Sequence, residues 1–110
     1  MKWHIKYFSP KVEEAILSLP KSLLSRYLHL ANLMEEFGSN LGMPHTKSLE
    51  GGLFELRIKG QDGIARVFYC TKTGKRIVML HVFIKKTHKT SNKELKLAKQ
   101  RVKEVLSNES

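Results

Sequence analysis

The sequence predicts an α+β domain, an antiparallel sheet packed against an N-terminal αα-hairpin in the order β-α-α-β-β-β-α. Three observations carry this. Residues 21–37 place apolar side chains at helical spacing, residues 53–84 divide into three strand-length segments, and a capped amphipathic segment closes the chain. Residues 1–110 show no linker, repeat or low-complexity tract and are read as one domain.

The opening Trp3-His4-Ile5-Lys6-Tyr7-Phe8 alternates as a strand does. Ser9-Pro10 supplies an N-cap and then proline at the first helical position, where a missing N–H costs nothing. A short helix follows through Val12, Ala15, Ile16 and Leu17, and Pro20 ends it. The next helix carries Leu23, Leu24, Tyr27, Leu28, Ala31, Met34 and Phe37 as its apolar stripe and stops at Gly38. Residues 39–52 read as a loop. Leu53–Lys59, Ile64–Cys70 and Arg76–Ile84 read as strands, parted by turns at 60–63 and 72–75. Ser91 and Glu94 fit a capping box for a last helix whose stripe is Leu95, Ala98, Val102 and Val105.

The charge is unevenly placed. The net charge is +10, yet residues 1–56 hold six Lys/Arg and six Asp/Glu, whereas residues 57–103 hold fourteen against two. A neutral half joined to a basic half points to a polyanionic partner, nucleic acid ahead of a membrane surface or an acidic protein. No apolar run is long enough to span a membrane, no signal peptide is recognisable at the N-terminus, and a single cysteine gives no intrachain disulfide. A cytoplasmic protein is expected.

Strand parity sorts the charges. Phe54, Leu56, Ile58, Ala65, Val67, Tyr69, Val78, Leu80, Val82 and Ile84 fall on one face, the expected core. The other face carries Glu55, Arg57, Lys59, Arg66, His81 and Lys85 among Phe68, Met79 and Phe83. In the simplest register Arg57 opposes Arg66, and Arg66 opposes His81. Like charges opposed on a sheet repel, and a bound anion relieves the repulsion. The row is therefore a candidate phosphate site. Lys85, Lys86, His88 and Lys89 lie on the connection to the last helix and suit phosphate contacts. Lys93 and Lys96 follow on the helix as candidate RNA contacts or a solvated face.

The sequence lacks HExxH, a glycine-rich phosphate loop, a serine elbow and Cys/His metal spacing. A nuclease on the charged face is expected to use no metal or other cofactor. The RNA 2′-OH would be the nucleophile, with cations stabilising the phosphorane-like transition state.

Three blocks carry a family resemblance: residues 44–58 (PHTKSLEGGLFELRI), 64–69 (IARVFY) and 80–90 (LHVFIKKTHKT). Together they resemble HigB-type toxins of the RelE/ParE superfamily, including its phage-derived branch, over nearly the whole chain. The resemblance implies a RelE-like fold, a cognate antitoxin (often a helix-turn-helix protein) and ribosome-dependent mRNA cleavage that inhibits translation. It points to Arg57 and Arg66 as transition-state ligands, to Lys85 and Lys86 as basic residues after the last strand, and to His81 or His88 as acid or base. Several RelE-type enzymes use a tyrosine near the C-terminus as base, and this chain has none after Tyr69. Two other functions fit the same fold: a ParE-like inhibitor of DNA gyrase, and a non-toxic binding module acting with its antitoxin.

Overall fold

The computed structural model describes residues 2–86 and 92–108. It contains β1 (His4–Tyr7), α1 (Pro10–Leu17), α2 (Lys21–Phe37), β2 (Thr46–Ser48), β3 (Phe54–Gly60), β4 (Gly63–Lys72), β5 (Arg76–Ile84) and α3 (Asn92–Ser107), with a single 3-10 turn at Glu50–Gly52. The sheet order is β1-β5-β4-β3-β2, with β1 parallel to β5 and every other pair antiparallel. The short β2 lies inside the segment expected to be loop. Three residues are too few to show a period of two, so only pairing with β3 reveals it.

Local signals set the helix limits. Ser9 is extended and its hydroxyl accepts from the Val12 N–H, while Pro10 opens α1. Gly38, at φ 109°, ends α2 in a conformation that L side chains rarely adopt. Phe37 leaves the expected stripe and is 77% exposed, and Leu28 is exposed as well; Leu30 is buried instead.

Helices cover both sheet faces rather than one. Val12, Ile16, Leu23, Tyr27, Leu30 and Met34 of α1 and α2 pack on Leu56, Ile58, Ala65, Val67, Tyr69, Ile77 and Met79. Ala98 and Val102 of α3 pack on Leu53, Phe68, Cys70, Val78 and Leu80 across the sheet. Val78 and Leu80 therefore exchange faces with Met79 relative to the expected parity. The cause is a shorter turn, with Lys72 paired to Arg76, and a register shift between Phe68 and Tyr69. The two displacements add, so Val82 and Ile84 keep the expected face but pair with Val67 and Ala65, where the expected register sets Leu80 and Val82.

The β3–β4 turn is tied to α2. Asp62 Oδ2 accepts from the Ser22 hydroxyl at 2.7 Å and from the Ser22 N–H at 3.2 Å, and the Ser22 hydroxyl accepts from the Asp62 N–H at 2.9 Å. A Cβ on Gly60 would lie 2.7 Å from the Ser22 hydroxyl, so this approach needs glycine. The Asp62 carboxylate caps the first turn of α2, a helix whose own N-cap, Pro20, makes no side-chain bond. These bonds hold the Asp62 pKa below its ordinary 3.8. A carboxylate with a lowered folded pKa stabilises the fold above the unfolded value and loses that contribution as pH falls through the folded one. Asp62→Ala is therefore expected to melt below wild type at pH 7. The two melting temperatures should converge as the pH falls below 3.8, as followed by circular dichroism.

Candidate functional site

Arg57 and Arg66 are directly opposed on β3 and β4, on the sheet face that also carries Glu55 and Phe68. The two-residue β3–β4 connection sets this register, with Gly60 paired to Gly63. One carboxylate lies between the two arginines. Glu55 Oε1 is 3.2 Å from Arg57 Nε and 3.6 Å from Arg66 Nε. Two guanidinium groups thus share a single negative charge, leaving a net positive site.

The burial of this group sharpens the imbalance. Glu55 is 5% and Arg66 7% exposed. At 3.6 Å the Glu55 oxygen is too far to accept a hydrogen bond from Arg66. The Arg66 Nε has no hydrogen-bond partner among the described residues. Burial pushes the Arg66 pKa below the ordinary arginine value; Glu55 opposes this shift and Arg57 adds to it. A buried donor left without an acceptor is costly, and an anionic oxygen would satisfy it.

Two cavities meet at the pair. One, of about 260 Å³, is walled by Lys47, Glu55, Arg57, Arg66, Phe68 and Lys85, with Leu49 and Leu95 at its apolar side. The other, of about 230 Å³, is walled by Arg26, Pro44, His45, Arg57, Lys59 and Arg66. A larger cavity of about 530 Å³ opens between Lys6, Lys72, Arg76 and the end of α3; it shares no residue with the arginine pair.

Arg57, Arg66 and Lys85 therefore come together as the sequence suggests, with Lys59 in the adjoining cavity. His81 departs from the expected row. The register shift places it opposite Phe68, while Phe83 takes the place opposite Arg66. Its Nε2 lies 2.8 Å from Glu94 Oε2 on α3, and its ring stacks on Phe83 at 6.0 Å between centroids. Glu94, expected to cap α3, thus joins that helix to the sheet. Lys86, Lys93 and Lys96 are exposed and line neither cavity at the arginine pair. The proposed contacts His88 and Lys89, and the capping residue Ser91, lie outside the described residues.

Lys47, Arg26 and His45 are the site residues that the sequence did not single out. Lys47 enters through the pairing of β2 with β3, which sets it opposite Glu55. His45 sits beside Arg57 because its carbonyl accepts from the Arg57 N–H at 2.8 Å. The only sequence cue was a basic and hydroxyl-bearing run, His45-Thr46-Lys47-Ser48, just before Gly51-Gly52. Arg26 carried no cue, since its place depends on how α2 lies against the sheet edge.

The fold is similar to that in the crystal structure of an archaeal RelE–RelB complex from Pyrococcus horikoshii OT3. The TM-score is 0.53 at 26% sequence identity, covering 76% of this chain and 96% of that one. No curated protein matches. A family model described as phage-derived protein Gp49-like matches residues 14–103, which include both arginines, Glu55, Lys85 and every other wall of the two cavities. The chain belongs to this phage-derived Gp49-like family.

Proposed function

We propose that this protein is the toxin of a type II toxin–antitoxin pair, a HigB-type endoribonuclease that cleaves mRNA on the ribosome and so inhibits translation. The observation that carries the reading is the opposed Arg57–Arg66 pair, which shares one carboxylate and leaves the buried Arg66 Nε without an acceptor among the described residues. Such a pocket favours a group whose negative charge grows during reaction, as on the phosphorane formed when a ribose 2′-OH attacks the adjacent phosphodiester.

In the proposed reaction, the 2′-oxygen bonds to phosphorus as its proton passes to a base, and the bond to the 5′-oxygen breaks as that oxygen takes a proton. The products are a 2′,3′-cyclic phosphate and a 5′-hydroxyl. Arg57 and Arg66 hold the non-bridging oxygens, and Lys85 adds positive charge in the same cavity. His81, paired with Glu94, is a candidate for proton transfer once RNA reaches its strand; His88 is the other. Lys59, Lys86, Lys89, Lys93 and Lys96 would hold the flanking mRNA backbone or ribosomal RNA. The similar archaeal structure is a RelE–RelB complex, which supports a protein antitoxin as the second partner.

Expression of the chain in a bacterial host is expected to arrest growth, and mapping of mRNA ends should find new 5′-hydroxyl termini on ribosome-bound messages. Growth arrest with intact mRNA would exclude the nuclease.

A further inference from the structure

The 230 Å³ cavity continues the arginine site round an open edge of the sheet. β2 pairs with β3 only as far as Leu56, and the His45 carbonyl takes the Arg57 N–H, so among the described residues β3 from Ile58 onward has no strand on that side. The gap is flanked by Lys59 on β3, by Arg26 from α2 on the opposite sheet face and by His45. None of these three side chains has a carboxylate partner among the described residues.

The loop that presents His45 is internally bonded. Thr46 Oγ1 donates to Asn40 Oδ1 at 2.9 Å and accepts from the Gly42 N–H at 2.8 Å. The His45 and Thr46 N–H groups both donate to the Gly42 carbonyl at 3.0 Å. Tyr69, on the neighbouring strand, ties the start of the loop by donating to the Ser39 carbonyl at 2.5 Å. This wall is built before a ligand arrives, which lowers the ordering cost of binding.

We propose that Arg26, His45 and Lys59 form a second phosphate subsite, so that one single-stranded RNA bends round the β3 edge. One phosphodiester sits at Arg57 and Arg66, and the next sits between Arg26 and Lys59. This rests on the RNA reading of the arginine pair and extends it to the length and form of the substrate. The two cavities share Arg57 and Arg66 as a common wall, so their occupants are neighbours. The path turns from the face covered by α3 toward the face covered by α2. A flexible single strand can follow that turn, whereas a duplex backbone cannot. The cations read phosphate and not base edges, so this subsite positions the strand without selecting its sequence.

The test uses the full chain and 2′-O-methyl oligouridylates, in which the 2′-oxygen cannot attack. Binding of a dinucleotide and a hexanucleotide is followed by fluorescence anisotropy at several salt concentrations. The hexanucleotide is expected to bind wild type more tightly. Arg26→Ala should remove on the order of tenfold of that advantage at 50 mM salt and lower the salt slope by about 0.7. Dinucleotide binding should stay unchanged, and Arg26→Lys should retain most of the advantage. Melting curves establish that both variants are folded.

Equal hexanucleotide binding by folded Arg26→Ala and wild type would overturn the second subsite. Weakened binding of both oligonucleotides by Arg66→Ala in the same series would leave the arginine reading intact. Failure of wild type to bind either oligonucleotide would overturn both. Binding of poly-glutamate in place of RNA, lost in Arg26→Ala, would assign the cavity to an acidic protein segment and overturn the proposal.

Discussion

Arg66→Ala is expected to lower the rate of ribosome-dependent mRNA cleavage by on the order of 10²–10³, the usual cost of deleting one preorganised transition-state donor. Growth arrest on expression should disappear with it. The effect should fall on the turnover rate more than on ribosome affinity, because Arg66 is nearly buried at the sheet surface while the exposed lysines lie elsewhere. Arg66→Lys should restore little, since a single ammonium cannot span two phosphate oxygens as a guanidinium does. Single-turnover cleavage on programmed ribosomes separates these outcomes. An Arg66→Ala variant that cleaves at the wild-type rate would remove the basis of the proposed chemistry.

Glu55→Gln should produce the largest change in stability. The substitution keeps the shape of the side chain and deletes the only carboxylate among the described residues within reach of the opposed Arg57 and Arg66. Removing one partner of a buried ion pair costs about 3–5 kcal/mol, because the remaining charge stays desolvated. The lower end applies here, since the Arg57 side chain is 28% exposed and partly screened by water. Added sulfate or phosphate should recover much of the loss, and anion affinity should rise relative to wild type. Urea unfolding with and without sulfate measures both effects. A variant as stable as wild type, with no response to sulfate, would show that Glu55 does not hold the arginines together.

The arginine pair was legible in the sequence because its register depends on one short turn. Gly60-Gln61-Asp62-Gly63 makes a tight hairpin, and six residues on one strand then align with their partners on the other without interruption from Phe54 to Lys59. His81 was not legible. Its placement passes through the 72–75 turn and the shift at Phe68/Tyr69, and each displaces the pairing by one residue. Binary patterning could not flag the shift, since β5 is apolar at Ile77, Val78, Met79 and Leu80 alike. That unbroken run is instead the mark of a strand buried on both faces, which is where α3 lies. Arg26 and His45 were hidden for another reason: they meet Lys59 through tertiary packing that no local spacing encodes.

The pairing of His4–Tyr7 with Arg76–Met79 carries a consequence for biosynthesis. It joins β1 to a strand about 70 residues later in the sequence, while the hairpin bearing the two guanidinium groups is local. During translation β1 must wait, unpaired, until β5 has left the exit tunnel. Closure of the sheet at β1 is therefore a late event, whereas the hairpin that carries Arg57 and Arg66 can form before it.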